Sequence, residues 1–434
     1  MNHSIPLLKR VRGKLPSWPL LLGYLSIAIF MTGDGFEQAF LSHYIVSMGF
    51  SQSNASLVFA LYGFCAGLSA WSAGVLAEMF GPRKVMCLGA VIWLVFHAMF
   101  LQFGLSTQNL DLIILFYCFR AIGYPLFVYS FVVWFTRAVA PARLASAMGW
   151  FWTMFIFGIG FMGSYVPSLT LPIMGELHTL WLAMAVVGVG AVIGFIALKS
   201  SPEANVGSAG NATSKLKQLT RGITLAFEKK SLVLAFVIMM LDPMALFGFA
   251  VIMPFLFIDQ LGFTSSEWLR IWSMMLLSCM VVNVVAGMAA ARIGWLRMIR
   301  FQGCLGVAAT TLMFYYIPSY FGHNILVATF VAVLHGACLA GFIPLSALFP
   351  ALAPNEKGAA ISLHNLAVGL GSCVGPGLAT VILPMGGVLA VVWTYAALYL
   401  FAGVLSLFIK IDVTVFNDSD VVESDMSKTM AVPN

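Results

Sequence analysis

The feature that most constrains this chain is the length of its uninterrupted apolar runs. Residues 181–198, for example, pass without one charged side chain. A helix needs ~20 such residues to cross a bilayer. The strands of a transmembrane β-barrel instead alternate polar and apolar residues over ~10 positions, so the continuous runs here exclude a barrel. Soluble domains carry about 25% charged residues, whereas this chain carries 9% and is 61% hydrophobic. A soluble enzyme, a nucleic-acid-binding domain and a disordered chain are excluded, which leaves a polytopic protein whose surroundings are the lipid bilayer.

The runs between breaks predict twelve spans, near 19–46, 54–78, 85–104, 111–136, 144–167, 178–199, 231–258, 266–290, 297–317, 324–349, 358–383 and 387–409. The fold expected is an all-α integral membrane protein with twelve transmembrane helices in two pseudo-symmetric six-helix bundles. Its parts are a cytoplasmic N-terminus (1–18), a first bundle (19–199), a cytoplasmic linker (200–230), a second bundle (231–410) and a solvated, disordered tail (411–434). The N-terminal segment is polar and basic, and the run from Trp18 is too long for a cleavable signal. The seven cysteines are scattered, without metal-ligand spacing, and are expected to be buried, inert thiols.

Lysine and arginine set the orientation. With the N-terminus inside, Lys9, Arg10, Arg83, Lys84, Arg137, Arg143, the linker cluster, Arg292, Arg297 and Arg300 all fall on the inner side. Of 22 basic residues, Arg120 and Arg270 fall elsewhere. Both termini are therefore expected in the cytoplasm, and this bias accounts for the net charge of +6 without any nucleic-acid partner. Gly74 and Gly287, Gly81 and Gly294, Gly123 and Gly336, and Pro141 and Pro354 share an offset of 213 residues. That register predicts a duplicated six-helix unit, the layout of a rocking carrier.

After the second span the chain reads Gly74-Val-Leu-Ala-Glu78-Met-Phe-Gly81-Pro-Arg83-Lys84. This resembles the signature loop of the major facilitator superfamily, with Glu78 where aspartate is usual. A degenerate copy, Gly287 to Arg297, follows the eighth span. Gly74 would let helices approach closely, while Glu78, Arg83 and Lys84 would form a latch that breaks as the halves rock. The alternative is a purely topogenic basic loop.

The first span holds Thr32-Gly-Asp34-Gly-Phe-Glu37-Gln38, and the fourth holds Arg120-Ala-Ile-Gly123-Tyr124-Pro125. Ionisable groups at membrane depth are costly unless paired or wetted. Asp34 and Glu37, at i,i+3, share a helix face, and Arg120 lies at the same depth. The three are expected to pair and to form a proton site, with the protonated acid left open; the alternatives are a polar contact that only pins helix packing and an Arg120 that only props the first helix against the fourth. Asp242-Pro243 in the seventh span is expected as the counterpart in the second half, binding substrate hydroxyls or freed backbone. Glu267 and Arg270 suggest an interfacial salt bridge. Trp150 and Trp152 in the fifth span, with His364 and Asn365 in the eleventh, suit a hydroxylated ligand through C–H stacking and hydrogen bonds; His335 could be a packing residue.

The segments around Asp34, Arg120 and Trp150, with Gly175-Glu176-Leu-His178-Thr-Leu-Trp181, are similar to the bacterial polyol permeases, the ribitol and D-arabinitol transporters of that superfamily. The resemblance implies proton-coupled uptake of a small neutral polyol such as a pentitol across the inner membrane, with no cofactor or metal. Tyr124, Trp150, Trp152, Asp242, His364 and Asn365 are the expected substrate residues, and the chain is expected to work as a monomer. An organic-anion (2-oxoglutarate) symporter and a drug exporter stay open as alternatives. Against a dianion, the spans offer one well-placed cation, Arg120, with acids to occupy it.

Overall fold

The protein is represented by a computed structural model that describes residues 18–139, 141–199 and 212–410. The expectations for the N-terminal segment, for linker residues 200–211 and for the tail from 411 lie outside the described residues. Among these, every regular element is helical.

The first half contains α1 (Trp18–Gly35), α2 (Leu41–Ser47), α3 (Gln52–Phe80), α4 (Pro82–Met99), α5 (Leu110–Ala121), α6 (Gly123–Ala138), α7 (Pro141–Ile156) and α8 (Gly163–Lys199). Helix α9 (Ala212–Glu228) belongs to the stretch expected as a linker. The second half contains α10 (Lys230–Leu241), α11 (Met244–Pro254), α12 (Ser265–Ile293), α13 (Trp295–Met298), α14 (Val307–Phe321), α15 (Ile325–Leu339), α16 (Pro344–Leu352) and α17 (Lys357–Ser406). Nine helical stretches among the described residues are long and apolar enough to cross a membrane.

Two of those stretches fold back on themselves. Helix α8 contains Gly175 at φ 75° and α17 contains Gly387 at φ 64°, backbone that glycine adopts without strain. Residues packed on α1 show the reversal. Before Gly175 the pairs rise together: Tyr24 donates to the Ala147 carbonyl and Gly35 packs on Gly163. After it they run in opposition, Gly33 on Val187 and Gly194 on Ser26.

The duplication is visible in the backbone. Helices α3 and α12 begin and end 213 residues apart. Their N-caps, Ser51 and Thr264, share φ −72° and ψ 155°, and each side chain accepts an N–H from the first turn. Both helices stop at glycines in matching left-handed geometry, Gly81 at φ 93° and Gly294 at φ 95°. Close packing repeats too: Gly158 abuts Ala28 as Gly371 abuts Met240, and Gly163 abuts Gly35 as Gly375 abuts Gly248.

Several local expectations change. Glu267 does not pair with Arg270; it completes a capping box with Thr264 and meets His323 at 3.1 Å. The thiols are free but mostly not buried: Cys304 is buried, Cys87 is exposed and the other five are intermediate. A thiol on a lipid-facing helix surface needs no protein cover. The first span is not continuous, since α1 ends at Gly35 and α2 begins at Leu41.

The basic end of the molecule carries Gly81–Lys84, Arg137, Arg292 and Arg297. At the opposite end the halves are joined by His43 and Asp259 at 3.0 Å, by the Trp268 indole N–H on the Ala39 carbonyl at 2.7 Å, and by Ser53 on the Thr380 carbonyl at 2.5 Å. Mid-depth contact runs through α3 and α17, where a Cβ on Gly67 would lie 2.6 Å from the Gly369 carbonyl carbon. Near the basic end the same two helices meet through Trp71 and Ser362, while Gly74 and Gly149 have open space beside them.

Candidate functional site

The site is built on the break in the first span. Gly33 and Gly35 flank Asp34, and both are pressed against α8 and the turn before it, where a side chain would collide with Val187 or Ile159. Helix geometry then loosens: Phe36, Gln38 and Phe40 donate to carbonyls three residues back, at 3.2–3.4 Å. Glu37 therefore sits on a turn rather than on the regular helix that the i,i+3 spacing suggested. The break in the fourth span, at Ile122 between α5 and α6, places Arg120 on the last turn of α5.

These two breaks bring Asp34, Glu37 and Arg120 together, each at most 1% exposed. An Arg120 Nη2 hydrogen donates to Asp34 Oδ1 at 3.0 Å. Arg120 Nη1 forms an ion pair with Glu37 Oε1. The Tyr117 hydroxyl donates to the same Glu37 oxygen at 3.1 Å, and the Trp93 indole N–H donates to Asp34 Oδ1 at 2.6 Å. The guanidinium carbon lies 4.5 Å from the Trp93 ring centre, 5.1 Å from that of Tyr117 and 5.5 Å from that of Tyr62. One oxygen of each acid, Asp34 Oδ2 and Glu37 Oε2, is buried without a hydrogen-bond partner among the described residues. With both acids ionised the trio carries a net charge of −1. Burial of uncompensated charge costs several kcal/mol, so one bound proton would make the group neutral.

Glu37 opens onto a cavity between the halves. From the first half its wall consists of Glu37, Gln38, Phe59, Tyr62, Gly63, Ala66, Tyr117 and Tyr124; from the second, Phe247, Ala250, Ser372 and Pro376. Its volume in this conformation is about 20 Å³, room for about one water molecule. Tyrosine, amide and hydroxyl groups offer donors and acceptors, and the aromatic faces offer stacking. Among the described lining residues the charged one is Glu37. Tyr62, Tyr117, Trp93 and Ser372 were not singled out from sequence, because aromatic and small hydroxyl residues are scattered through every span.

The other expected residues lie elsewhere. Trp150 and Trp152 are 56% and 40% exposed, on opposite faces of α7, and neither lines this cavity. The His364 ring meets Asn365 Oδ1 at 3.2 Å and the Phe349 ring at 5.2 Å. Asp242 marks the break between α10 and α11, where the Tyr399 hydroxyl bridges the gap. It donates to the Asp242 carbonyl and accepts from the Ala245 N–H, both at 2.9 Å, pairing two backbone groups at the kink beside Pro243. In the register of the duplication, the position matching Asp34 is Phe247 rather than Asp242. His335 is a buried packing residue, 2.9 Å from Thr310 Oγ1 and beside Phe249 and Phe314.

In the signature loop, Gly81 makes the turn between α3 and α4, and Pro82 starts α4. The Arg83 guanidinium lies 4.6 Å from the Phe195 ring centre, and Lys84 is exposed. A Cβ on Gly74, expected at a close helix approach, would meet none of the described residues within 4 Å; Gly63 and Gly67 make the approach instead, against Ser372 and Gly369.

The sequence matches the Major Facilitator Superfamily over residues 22–329. It is 45% identical over 393 residues to a ribitol transporter and to a D-arabinitol transporter of Klebsiella pneumoniae, covering 91% of this chain and 92% of each relative. It is 35% identical to an alpha-ketoglutarate permease of Bacillus subtilis (strain 168), over 90% of this chain and 89% of that one. The fold is similar to that of a D-xylose-proton symporter, with TM-score 0.71 and 14% identity over 90% of this chain and 96% of that one. The chain belongs to the major facilitator superfamily of multi-pass membrane transporters, in the group of the ribitol and D-arabinitol transporters.

Proposed function

We propose that the protein imports a sugar alcohol, a pentitol such as ribitol or arabinitol, together with a proton, by alternating access across a bacterial inner membrane. The observation that carries this reading is the buried Asp34–Glu37–Arg120 group opening on a tyrosine-lined cavity between the halves. A neutral hydroxylated ligand matches that wall, which presents hydroxyls, an amide and ring faces, with Arg120 already held by two acids. A dicarboxylate would need free cations.

Counting α8 and α17 as two crossings each, and α1 with α2 as one more, gives twelve spans in two six-helix bundles, 19–199 and 231–410, joined by the linker. The basic end faces the cytoplasm in this reading, with both termini. The conformation is then inward-facing, closed by His43–Asp259 and Trp268–Ala39 at the outer end. In the opposite state Glu78, Arg83 and Lys84 act as the latch. One chain suffices, since the cavity lies between its own halves. Tyr124 contacts ligand directly in this reading; Asp242, His364, Asn365 and one of Trp150 and Trp152, which lie on opposite faces of α7, do so as the halves close. Competition of labelled ribitol uptake by ribitol, arabinitol, xylitol, sorbitol and 2-oxoglutarate tests the reading. Displacement by polyols is expected; displacement by 2-oxoglutarate alone would replace it with an anion carrier.

A further inference from the structure

We propose that Glu37 carries the coupling proton, that Asp34 is the fixed counter-ion of Arg120, and that Trp93 is the positioning residue that separates the two roles. This rests on the proton-coupled reading above. The acids share one arginine but not one environment. Asp34 ends α1, clamped by glycine contacts on both sides. Its Oδ1 receives two N–H donors, from Trp93 at 2.6 Å and Arg120 at 3.0 Å, and both donate to a charged oxygen better than to a neutral one. Asp34 is not among the described residues lining the cavity. Glu37 lies on the loosened turn and lines the cavity, with Oε1 held by Arg120 and the Tyr117 hydroxyl. Each acid keeps one oxygen, Asp34 Oδ2 and Glu37 Oε2, without a partner among the described residues, so access to the cavity is what separates them.

The groups facing Glu37 are Asp34 on its own segment, Arg120, Tyr117 and Tyr124 from the fourth span, and Tyr62 from α3. The second half faces it with Phe247, Ala250, Ser372 and Pro376, which bring no ionisable group. His97 stacks behind Trp93 and meets the Leu180 carbonyl at 3.0 Å. A proton from cavity water therefore adds to the Glu37 carboxylate at Oε2. The product is a neutral carboxylic acid whose O–H can donate into the cavity. Its hold on Arg120 weakens, and Asp34 alone balances the guanidinium. Loss of the proton to water on the other side restores the carboxylate.

Infrared pH-difference spectra of the purified full-length protein test this without a ligand. A buried carboxylic-acid band should form on acidification, shift when glutamate carboxyls are ¹³C-labelled, and vanish in Glu37→Gln. A band that shifts with aspartate labelling instead overturns the proposal, and so does the lack of any buried-acid band. The labelling arms use the wild-type chain and do not depend on a variant folding. Trp93→Phe keeps the ring over Arg120 and removes the N–H. The half-point of the band should then move up by about one pH unit, a tenfold change in proton affinity; an unchanged half-point would make Trp93 a packing residue only. Proton movement with ribitol, measured separately, distinguishes the two levels. If it occurs while the band follows aspartate, only this assignment fails. If it does not occur, the proton-coupled reading fails.

Discussion

The first and seventh spans are copies of one structural unit, and they differ where chemistry would be read. At the offset of 213 residues, Asp34, Glu37 and Arg120 correspond to Phe247, Ala250 and Val333. Two close helix contacts recur within one residue of that offset, Gly158 on Ala28 with Gly371 on Met240 and Gly163 on Gly35 with Gly375 on Gly248, while Leu246 stands at the place of Gly33. Backbone approach depends on small residues at fixed places, and both halves meet that demand. Burial of charge is costly, and the described residues place the buried acid–arginine group in the first half. The second half supplies Phe247, Ala250, Ser372 and Pro376 to the cavity. In the proposed reading, coupling belongs to the first half, and the second supplies a wall of shape and hydrogen bonds.

Arg120→Gln should break the comparison most severely. It leaves two buried carboxylates facing each other, and loss of one partner from a buried pair costs about 3–5 kcal/mol. Transport should fall to background with a large loss of thermal stability in detergent, whereas Val333→Ala, its counterpart, should leave transport intact. Next come the cavity hydroxyls. Tyr124→Phe and Ser372→Ala each remove a hydroxyl proposed to bond the ligand, and affinity for the proposed polyol in equilibrium binding should fall ~5–150-fold, or ~1–3 kcal/mol.

His335→Leu should lower stability by about 1 kcal/mol through the lost Thr310 hydrogen bond. Ribitol affinity should be unchanged, because that histidine packs away from the cavity; a large fall in affinity would move the binding site into the second half.

The smallest effect is at the basic end. Arg221 holds Glu356 at 2.7 Å and Glu228 at 2.5 Å, tying the linker helix to the loop before α17. Hydrogen bonds from Arg221 lower the pKa of both acids. The tie is therefore complete above the usual glutamate range and is lost as pH falls through the lowered values. Both acids lie in solvent, so the effect is modest. Hydrogen exchange in 212–228 should rise in acid, and Arg221→Gln should remove that pH dependence.

Much of this was legible in the sequence because it follows from cost. Apolar length and charge avoidance gave the spans, and three ionisable residues in apolar runs had to find one another. Other parts rest on rotations too small for spacing to resolve. Pairing Trp150 with His364 uses an offset of 214; at 213 the partner is Phe151, which is fully buried. One residue on a helix is a rotation of about 100°, enough to turn a side chain from the core to the exposed surface. Asp242 drew attention because it is acidic, yet its backbone marks a proline break bridged by Tyr399. Trp93 was invisible because an indole N–H aimed at a carboxylate looks, in sequence, like any other tryptophan in a span.

The central claim, that coupling resides in the first half, is tested most directly by medium pH in vesicles on addition of ribitol, with no imposed gradient. Wild-type protein should alkalinise the medium as protons enter with the polyol. Glu37→Gln should abolish that signal while sparing ribitol exchange, and Asp242→Asn should keep it. Sodium-dependent uptake without proton movement, or a signal that survives Glu37→Gln and disappears with Asp242→Asn, would contradict the account.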